Sequence, residues 1–207
     1  MVACGRKHSL AMTESKEVFS WGLGSSGQLG HGGTPGPQHM PKQINSLRDR
    51  HHRDPPRAIY AGGNTSGIIT SKTHSLLLWG SNKFGQCASG TLRPVLKPRQ
   101  VTSPALDKVR VTDLALSRQH AGLIGSNGEV FTWGASNYGR LGVDASVLVS
   151  NWLVLIPAKV KVPPTIQLVA GDFHMLALTR VSSACMNGLY GGGLSNCDLD
   201  LLAFLPL

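Results

Sequence analysis

Acidic residues and cysteines are scarce in this chain of 207 residues. Only 11 residues are Asp or Glu, against 20 Lys and Arg, which gives a formal net charge of +9. The four cysteines, Cys4, Cys87, Cys185 and Cys197, include no Cys-x-x-Cys pair. Scattered cysteines in a chain of this size argue against a disulfide scaffold. They favour a reducing compartment, and we expect an intracellular location, either cytoplasmic or nuclear.

Sequence patterns of catalytic and cofactor sites are also missing. The chain has no Gly-x-Ser-x-Gly, no His-Glu-x-x-His and no Gly-x-x-x-x-Gly-Lys-Ser/Thr phrase. The pair His51-His52 lies in a charged loop, where metal binding would need further ligands. We therefore predict a protein that is not an enzyme, with no cofactor, no metal site and no catalytic residue.

Long hydrophobic runs are absent. The apolar stretch from Leu199 to Leu207 is much shorter than the ~20 residues that span a bilayer, and the chain opens with no signal-peptide pattern. No segment shows a sustained apolar period of 3.6 residues, so we expect few helices and no membrane partner.

A Trp-Gly pair recurs three times, at Trp21-Gly22, Trp79-Gly80 and Trp133-Gly134, with intervals of 58 and then 54 residues. Each pair is followed a few residues later by Gly-Gln-Leu-Gly or a variant of it. A period of this size indicates one supersecondary unit repeated along the chain. We interpret the tryptophans as buried packing anchors in equivalent positions, and the glycines as turn residues rather than phosphate-binding residues.

A histidine belongs to the same repeat. His8 and His120 each lie 13 residues before their tryptophan, and His174 follows His120 by 54 residues. In the second copy the same spacing falls on Ser66. Equivalent positions in successive units are rotated relative to one another, so these side chains need not converge. We interpret the histidines as structural residues that bond a neighbouring turn.

Each unit is predicted to be β-structure. Short apolar runs are separated by polar turns, and Asn127-Gly128 between two such runs is a strong hairpin signal. About four strands in a unit of 54 residues are typical of a propeller blade. The expected fold is all-β, an incomplete β-propeller of about three to four four-stranded antiparallel blades. The predicted repeat domain covers residues 1–179, with units of about 1–58, 59–112 and 113–166 and a partial unit at 167–179.

Two phrases in the sequence carry a family resemblance. Ala-Cys-Gly-x-x-His-Ser-Leu-Ala begins at Ala3, and Val-Phe-Ser-Trp-Gly-x-x-x-x-Gly-Gln-Leu-Gly begins at Val18. Together they resemble the regulator of chromosome condensation repeat. The second copy departs from the pattern at Ser66, Leu78, Cys87 and Ala88, and the third copy departs at Ser117. The resemblance implies a seven-bladed propeller, about twice as long as this chain, with small GTPases, chromatin or ubiquitin-ligase clients as partners.

The pattern stops after Thr179. The register requires another Val-Phe-Ser-Trp-Gly phrase near Asn187-Gly188, where the chain has none. We therefore predict that 180–207 is a divergent or non-homologous tail that does not complete the fourth blade. An open arc of blades exposes strand edges, which favours self-association.

Positive charge is unevenly distributed. From Lys72 to Arg110 there are seven basic residues and one acid, Asp107. Such a segment attracts nucleic acid or acidic proteins, although an ordinary solvated surface would have the same composition. The candidate partner-binding residues are Arg93, Lys97, Arg99, Lys108 and Arg110.

The leading functional prediction is a non-enzymatic protein-interaction module. The resemblance supplies a second hypothesis, guanine-nucleotide exchange on a Ran-like small GTPase. The basic segment supplies a third, binding to chromatin or nucleic acid.

Overall fold

The computed structural model describes residues 1–34, 36–149, 152–180 and 199–204. Nearly half of these residues lie in strands of antiparallel sheets, and the helices are single turns. Among the described residues, no helix is long and apolar enough to cross a membrane.

Four sheets follow one another along the chain, and each is a simple meander in which consecutive strands are neighbours. Sheet 1 contains β1 (Val2–Cys4), β2 (His8–Met12), β3 (Val18–Gly22) and β4 (Gln38–Gln43). Sheet 2 contains β5 (Pro56–Gly62), β6 (Thr65–Thr70), β7 (Leu76–Gly80) and β8 (Val95–Gln100). Sheet 3 contains β9 (Val111–Leu116), β10 (His120–Gly125), β11 (Val130–Ala135) and β12 (Leu153–Lys159). Sheet 4 contains β13 (Thr165–Ala170), β14 (Met175–Arg180) and β15 (Leu199–Phe204).

The helices lie in the connections. Two four-residue helices, α1 (Asn45–Arg48) and α2 (Arg50–Arg53), join sheets 1 and 2. Three 3₁₀ turns lie at Pro104–Leu106, Asn137–Gly139 and Ala145–Val147. His51 and His52 therefore lie on α2, and no group of three metal-ligating side chains exists among the described residues.

The first strands of successive sheets, β1, β5, β9 and β13, pack against one another. The sheets are thus arranged radially, with their first strands innermost and β4, β8 and β12 outermost. The prediction of an all-β, open arc of antiparallel blades is confirmed. In sheet 4, β15 lies beside β14 as the third strand. The segment 184–188, where the sequence register places that strand, lies outside the described residues.

Strand register corrects one sequence assignment. Gly22 pairs with His8 and Gly134 pairs with His120, but Gly80 pairs with Thr65. Thr65, not Ser66, therefore holds the histidine position in sheet 2. The reason is the hairpin: Ile69 pairs with Leu76, whereas the tighter hairpin of sheet 3 pairs Ile124 with Val130. Because the sheet 2 hairpin has one extra residue, its histidine position lies one residue further from the tryptophan than in sheet 3.

The burial of a strand depends on whether its sheet is covered by other sheets on one face or on both. Strands β6, β7, β10 and β11 are buried at every residue because sheets 2 and 3 have another sheet on each side. In β2 the residues alternate between buried and partly exposed, as expected for a sheet covered on one face. Trp79 and Trp133 are fully buried, but Trp21 is only partly buried. The predicted equivalent burial is wrong for Trp21, because no described sheet packs on its side.

Another segment of the backbone approaches the residue after each tryptophan so closely that this residue must be glycine. Gly22, Gly80 and Gly134 have φ values of 100°, 112° and 104°. A Cβ at any of them would lie 2.4–2.6 Å from a carbonyl oxygen of the turn before the second strand. Both the positive φ and the contact exclude larger residues.

Candidate partner-binding surface

Two kinds of connection lie at the same end of sheets 1 to 3. Because consecutive strands are antiparallel, the turn between the first two strands and the long loop between the third and fourth share one end. We call this end the loop face, and the opposite end the hairpin face. The loop face comprises the turns 5–7, 63–64, 117–119 and 171–174 and the described parts of three loops, 23–34 with 36–37, 81–94, and 136–149 with 152.

Each buried tryptophan holds the preceding blade's loop. The Trp79 indole Nε1 donates to the main-chain oxygen of Gln28 at 2.9 Å, and Trp133 Nε1 donates to that of Gln86 at the same distance. Gln28 and Gln86 both lie seven residues after their own sheet's tryptophan. The linked spacing of the tryptophan and Gly-Gln phrases is therefore a contact between successive blades.

The side chain at this seventh position holds the next blade's turn. Gln86 Nε2 donates to the Arg118 carbonyl at 3.3 Å, and Arg140 Nη1 donates to the Asp172 carbonyl at 3.5 Å. Gln28 differs, since its Nε2 is buried without a hydrogen-bond partner. The corresponding carbonyl in the next turn, that of Gly63, accepts from the Arg6 main-chain N–H at 2.8 Å instead.

The rings of His8 and His120 each contact the next blade. His8 Nε2 lies 2.8 Å from the Ser66 hydroxyl of the next blade, and His120 Nε2 donates to the His174 carbonyl at 3.4 Å. A carbonyl only accepts, so His120 Nδ1 is the unprotonated nitrogen and accepts from the Ser117 hydroxyl. Burial lowers the pKa of both His8 and His120 to about 4. Both rings are neutral near pH 7.

The glycine three residues before the histidine leaves room for the ring. A Cβ on Gly5 would lie 2.2 Å from Cε1 of His8, and one on Gly171 would lie 2.6 Å from Cε1 of His174. The third copy has Ser117 at this position, and its hydroxyl hydrogen-bonds the ring instead. His174 itself is exposed.

The five basic residues predicted to bind a partner do not form one cluster. All are exposed. Arg93 ends a loop of the loop face, and Lys97 and Arg99 lie along the outermost strand β8. Lys108 and Arg110 precede β9 at the hairpin face. A six-residue strand spans about 20 Å, so the two ends of this set are far apart.

The structure brings together three other cations at the loop face. Arg6, Lys83 and Arg118 line a cleft of about 140 Å³ between the turns of sheets 1 to 3. Its remaining lining residues are Ser26, Gly63, Asn64, Ser81, Phe84 and Gln86. No carboxylate lines the cleft. The ion pairs among described residues are Lys159–Glu129 and Lys161–Asp144, so these three cations are unpaired there.

Sequence reasoning missed this cleft because its cations come from distant parts of the chain. The repeat register did offer one indication in the sequence, because Arg6 and Arg118 occupy the same turn position in their repeat units. We name Arg6, Lys83 and Arg118 the loop-face cations.

Exposed aromatic rings lie on the same face. Tyr138 and Phe173 are 71% and 61% exposed. Their ring centroids lie 5.9 and 5.5 Å from the Arg140 guanidinium carbon. Phe84 contacts Trp152 edge-on at 6.0 Å, and Trp152 is exposed. Tyr138 adopts a left-handed φ of 61°, which is uncommon for a bulky residue.

Comparison with protein families extends the repeat over most of the chain. The sequence model described as "Regulator of chromosome condensation (RCC1) repeat" matches residues 16–69, 74–124 and 127–178, and a second RCC1 repeat model matches 2–28. Each of the three longer matches begins with the third strand of one sheet and ends in the second strand of the next. The family's repeat unit is therefore offset from the sheet.

Curated relatives include much longer proteins. The human probable E3 ubiquitin-protein ligase HERC6 is 35% identical over 142 residues, which cover 68% of this chain and 13% of that protein. Human HERC2, an E3 ubiquitin-protein ligase, is 35% identical over 143 residues, 68% of this chain and 3% of its own length. The chain thus spans a small part of the relatives it matches.

Solved structures show the same fold. Yeast RCC1 (Prp20), solved bound to Kap60, superposes with a TM-score of 0.70 at 24% identity, over 86% of this chain and 41% of that one. Human WBSCR16 superposes with a TM-score of 0.72 at 25% identity, over 86% of this chain and 44% of that one.

Proposed function

Because this chain belongs to the regulator of chromosome condensation repeat family, we propose that it acts by binding another protein through its loop face, without turning over a substrate. The observation that carries the proposal is the coincidence of unpaired cations and exposed aromatic rings on one end of the blades. Arg, Tyr, Trp and Phe are the residues enriched at protein interfaces and at their energetic hot spots.

The backbone of this face is held before any partner arrives. Tryptophan and glutamine side chains tie the loop of one blade to the next blade, and Arg140 ties the third blade to the fourth. A surface that needs little ordering loses less free energy on association. Fixed loops therefore support binding, which requires a shaped surface but no nucleophile or general base.

Exchange of guanine nucleotide on a Ran-like small GTPase is the second candidate. It is supported by likeness to yeast Prp20p, whose solved structure is described together with its binding to Gsp1p and histones. Exchange works by preferential binding of the nucleotide-free GTPase, so it also needs no catalytic side chain. Chromatin or nucleic-acid binding is the third candidate, supported by the net charge of +9. An intracellular location, cytoplasmic or nuclear, belongs to the same proposal.

A binding experiment with two defined partners tests these candidates. A Ran-like GTPase and reconstituted nucleosomes are titrated against the chain by biolayer interferometry in a salt series. The loop-face variant carries Arg6→Ala, Lys83→Ala and Arg118→Ala. Its matched control carries Lys72→Ala, Lys108→Ala and Arg110→Ala, which remove the same charge from the hairpin face.

We expect salt-sensitive binding that the loop-face variant weakens and the control retains. Equal loss in both variants would show that only net charge matters and would contradict a loop-face site. Release of a fluorescent GDP analogue by substoichiometric amounts of chain would overturn the non-catalytic proposal in favour of exchange.

A further inference from the structure

We propose that the cleft lined by the loop-face cations is the anchor point for one acidic side chain, Glu or Asp, from an extended segment of a partner protein. This inference rests on the proposed function, since it names the chemistry that the loop face recognises. Of the seven basic residues from Lys72 to Arg110, only Lys83 lines the cleft.

Size restricts what the cleft accepts. Its volume of about 140 Å³ is below the roughly 300–1,000 Å³ typical of pockets that enclose small-molecule ligands. A nucleotide would not be enclosed there. A single carboxylate side chain matches the space.

The residues that line the cleft determine which charge the bound side chain must carry. Three cations from two turns and one loop meet around the cleft, and no acidic residue lines it. An anion that enters the cleft is attracted by these cations, and guanidinium groups bind carboxylates with paired hydrogen bonds. Ser26 and Ser81 add hydroxyl groups that donate to the same anion. Phe84 supplies an apolar wall for the methylene groups of the guest side chain.

The supporting backbone is fixed at two of the three cations. The Arg6 main-chain N–H donates to Gly63, and the Arg118 carbonyl accepts from Gln86. Gln86 is itself held, because its Oε1 accepts from the Phe84 main-chain N–H at 2.9 Å. The positions from which Arg6 and Arg118 project are therefore set by contacts between blades, and only the side chains need to order on binding.

Convergence of the cations favours a protein carboxylate over nucleic acid. A nucleic-acid strand presents a series of phosphates, and proteins that bind it place basic groups along a groove. Here three cations surround one small cleft. They suit one isolated anion on a flexible segment better than a row of phosphates.

Peptide binding tests the inference directly. The probe is a ten-residue peptide with one central Glu in a Ser/Ala background, and its partners are the same peptide with Gln or with phosphoserine at that position and a ten-nucleotide single strand. Each is titrated against the ¹⁵N-labelled chain, and amide shifts give both affinity and location. The loop-face variant and the hairpin-face control of the preceding section are titrated in parallel. Circular dichroism checks that each variant is folded.

We expect the Glu peptide to shift amides around Arg6, Lys83 and Arg118, and its affinity to fall about tenfold in the loop-face variant and not in the control. The Gln peptide should bind at least tenfold more weakly than the Glu peptide. Equal binding of Glu and Gln peptides would overturn the proposal. So would tighter binding of the phosphoserine peptide or of the oligonucleotide at the same amides.

The outcome separates this inference from the proposed function. If the Glu peptide fails while the GTPase or nucleosome still binds at the loop face, the cleft is not the anchor and the interaction module stands. If neither partner binds the loop face and the peptide also fails, both proposals fail.

Discussion

The indole Nε1 of Trp79 donates a hydrogen bond to the main-chain oxygen of Gln28, 51 residues earlier, at 2.9 Å. Trp133 repeats the contact with Gln86, 47 residues earlier. Each tryptophan therefore fills the space between two sheets and also satisfies a carbonyl of the neighbouring loop. The Gln28 oxygen also accepts from the Ser66 hydroxyl at 2.8 Å. A buried carbonyl that loses a donor is destabilised, so the ring and its N–H both contribute to blade-to-blade stability.

Replacing Trp133 by Phe should test this double role. The change removes the hydrogen bond to Gln86 and leaves a void in a fully buried site. We expect the free energy of unfolding to fall by about 2–4 kcal/mol in urea denaturation. The matched control is Trp21→Phe, which should cost about 1 kcal/mol or less because Trp21 is partly exposed. Equal losses at the two sites would contradict the account.

Acid should destabilise the chain through its buried histidines. Burial lowers the pKa of His8 and His120 from 6.5 to about 4 in the folded state. Above pH 6.5 both states are neutral, so these residues leave the stability unchanged. Between pH 6.5 and 4 the unfolded chain takes up protons that the folded chain refuses, and stability falls by up to about 3 kcal/mol per histidine.

Urea titrations at pH 7.5, 6, 5 and 4 measure this slope. The variant His120→Gln should be less stable at pH 7.5 but should lose less stability on acidification, since one of the two titrating rings is gone. An unchanged slope would show that His120 is not the titrating group.

Asp54 should stabilise the connection into sheet 2. Its carboxylate accepts from the Lys72 main-chain N–H at 2.8 Å and from the hydroxyl of Thr73. Burial opposes its ionisation, but the bonds from Thr73 and Lys72 outweigh it and lower the pKa of Asp54. Asp54→Ala should cost about 1–3 kcal/mol of unfolding free energy at pH 7, measured by urea denaturation. Asp107→Ala, at an exposed position, is the control and should cost less than about 0.5 kcal/mol.

Tyr138 should matter more for binding than for folding. Replacing it by Gly relieves the left-handed backbone, worth about 1 kcal/mol, and removes a cation–π contact with Arg140 worth about 0.5–1 kcal/mol. The free energy of unfolding should therefore change little, while binding of the GTPase or nucleosome weakens severalfold. Met40→Gly is the control, because Met40 is equally exposed, at 71%, on outer strand β4. Tighter binding by the Tyr138 variant would contradict a role for this ring.

Much of the fold was predictable because its determinants repeat. The tryptophan, its glycine and the histidine are coupled by strand pairing and blade contacts, so their spacing in sequence reports the architecture. Two details were not predictable in this way. A hairpin longer by one residue moved the histidine position from Ser66 to Thr65, and the partial exposure of Trp21 depends on what packs beside sheet 1.

The candidate surface was less accessible to sequence reasoning. A run of basic residues in sequence suggested one site, but a blade sends neighbouring segments of the chain to opposite ends. Arg93 and Arg110 therefore lie apart although they are close in sequence. Arg6 and Arg118 show the converse, since they occupy the same turn position in separate blades and line one cleft.

The offset between the family's repeat and the sheet has a consequence for a cleaved chain. The boundaries between matched intervals fall at residues 70–73 and 125–126, which include the last residue of the second strand and the start of the hairpin turn in sheets 2 and 3. A protease that cuts there severs a loop within one sheet. The two fragments remain paired along the strands, as Ile69 with Leu76 in sheet 2 and Ile124 with Val130 in sheet 3. We therefore expect a nick at a repeat boundary to leave two pieces that the strand pairing of one sheet holds together.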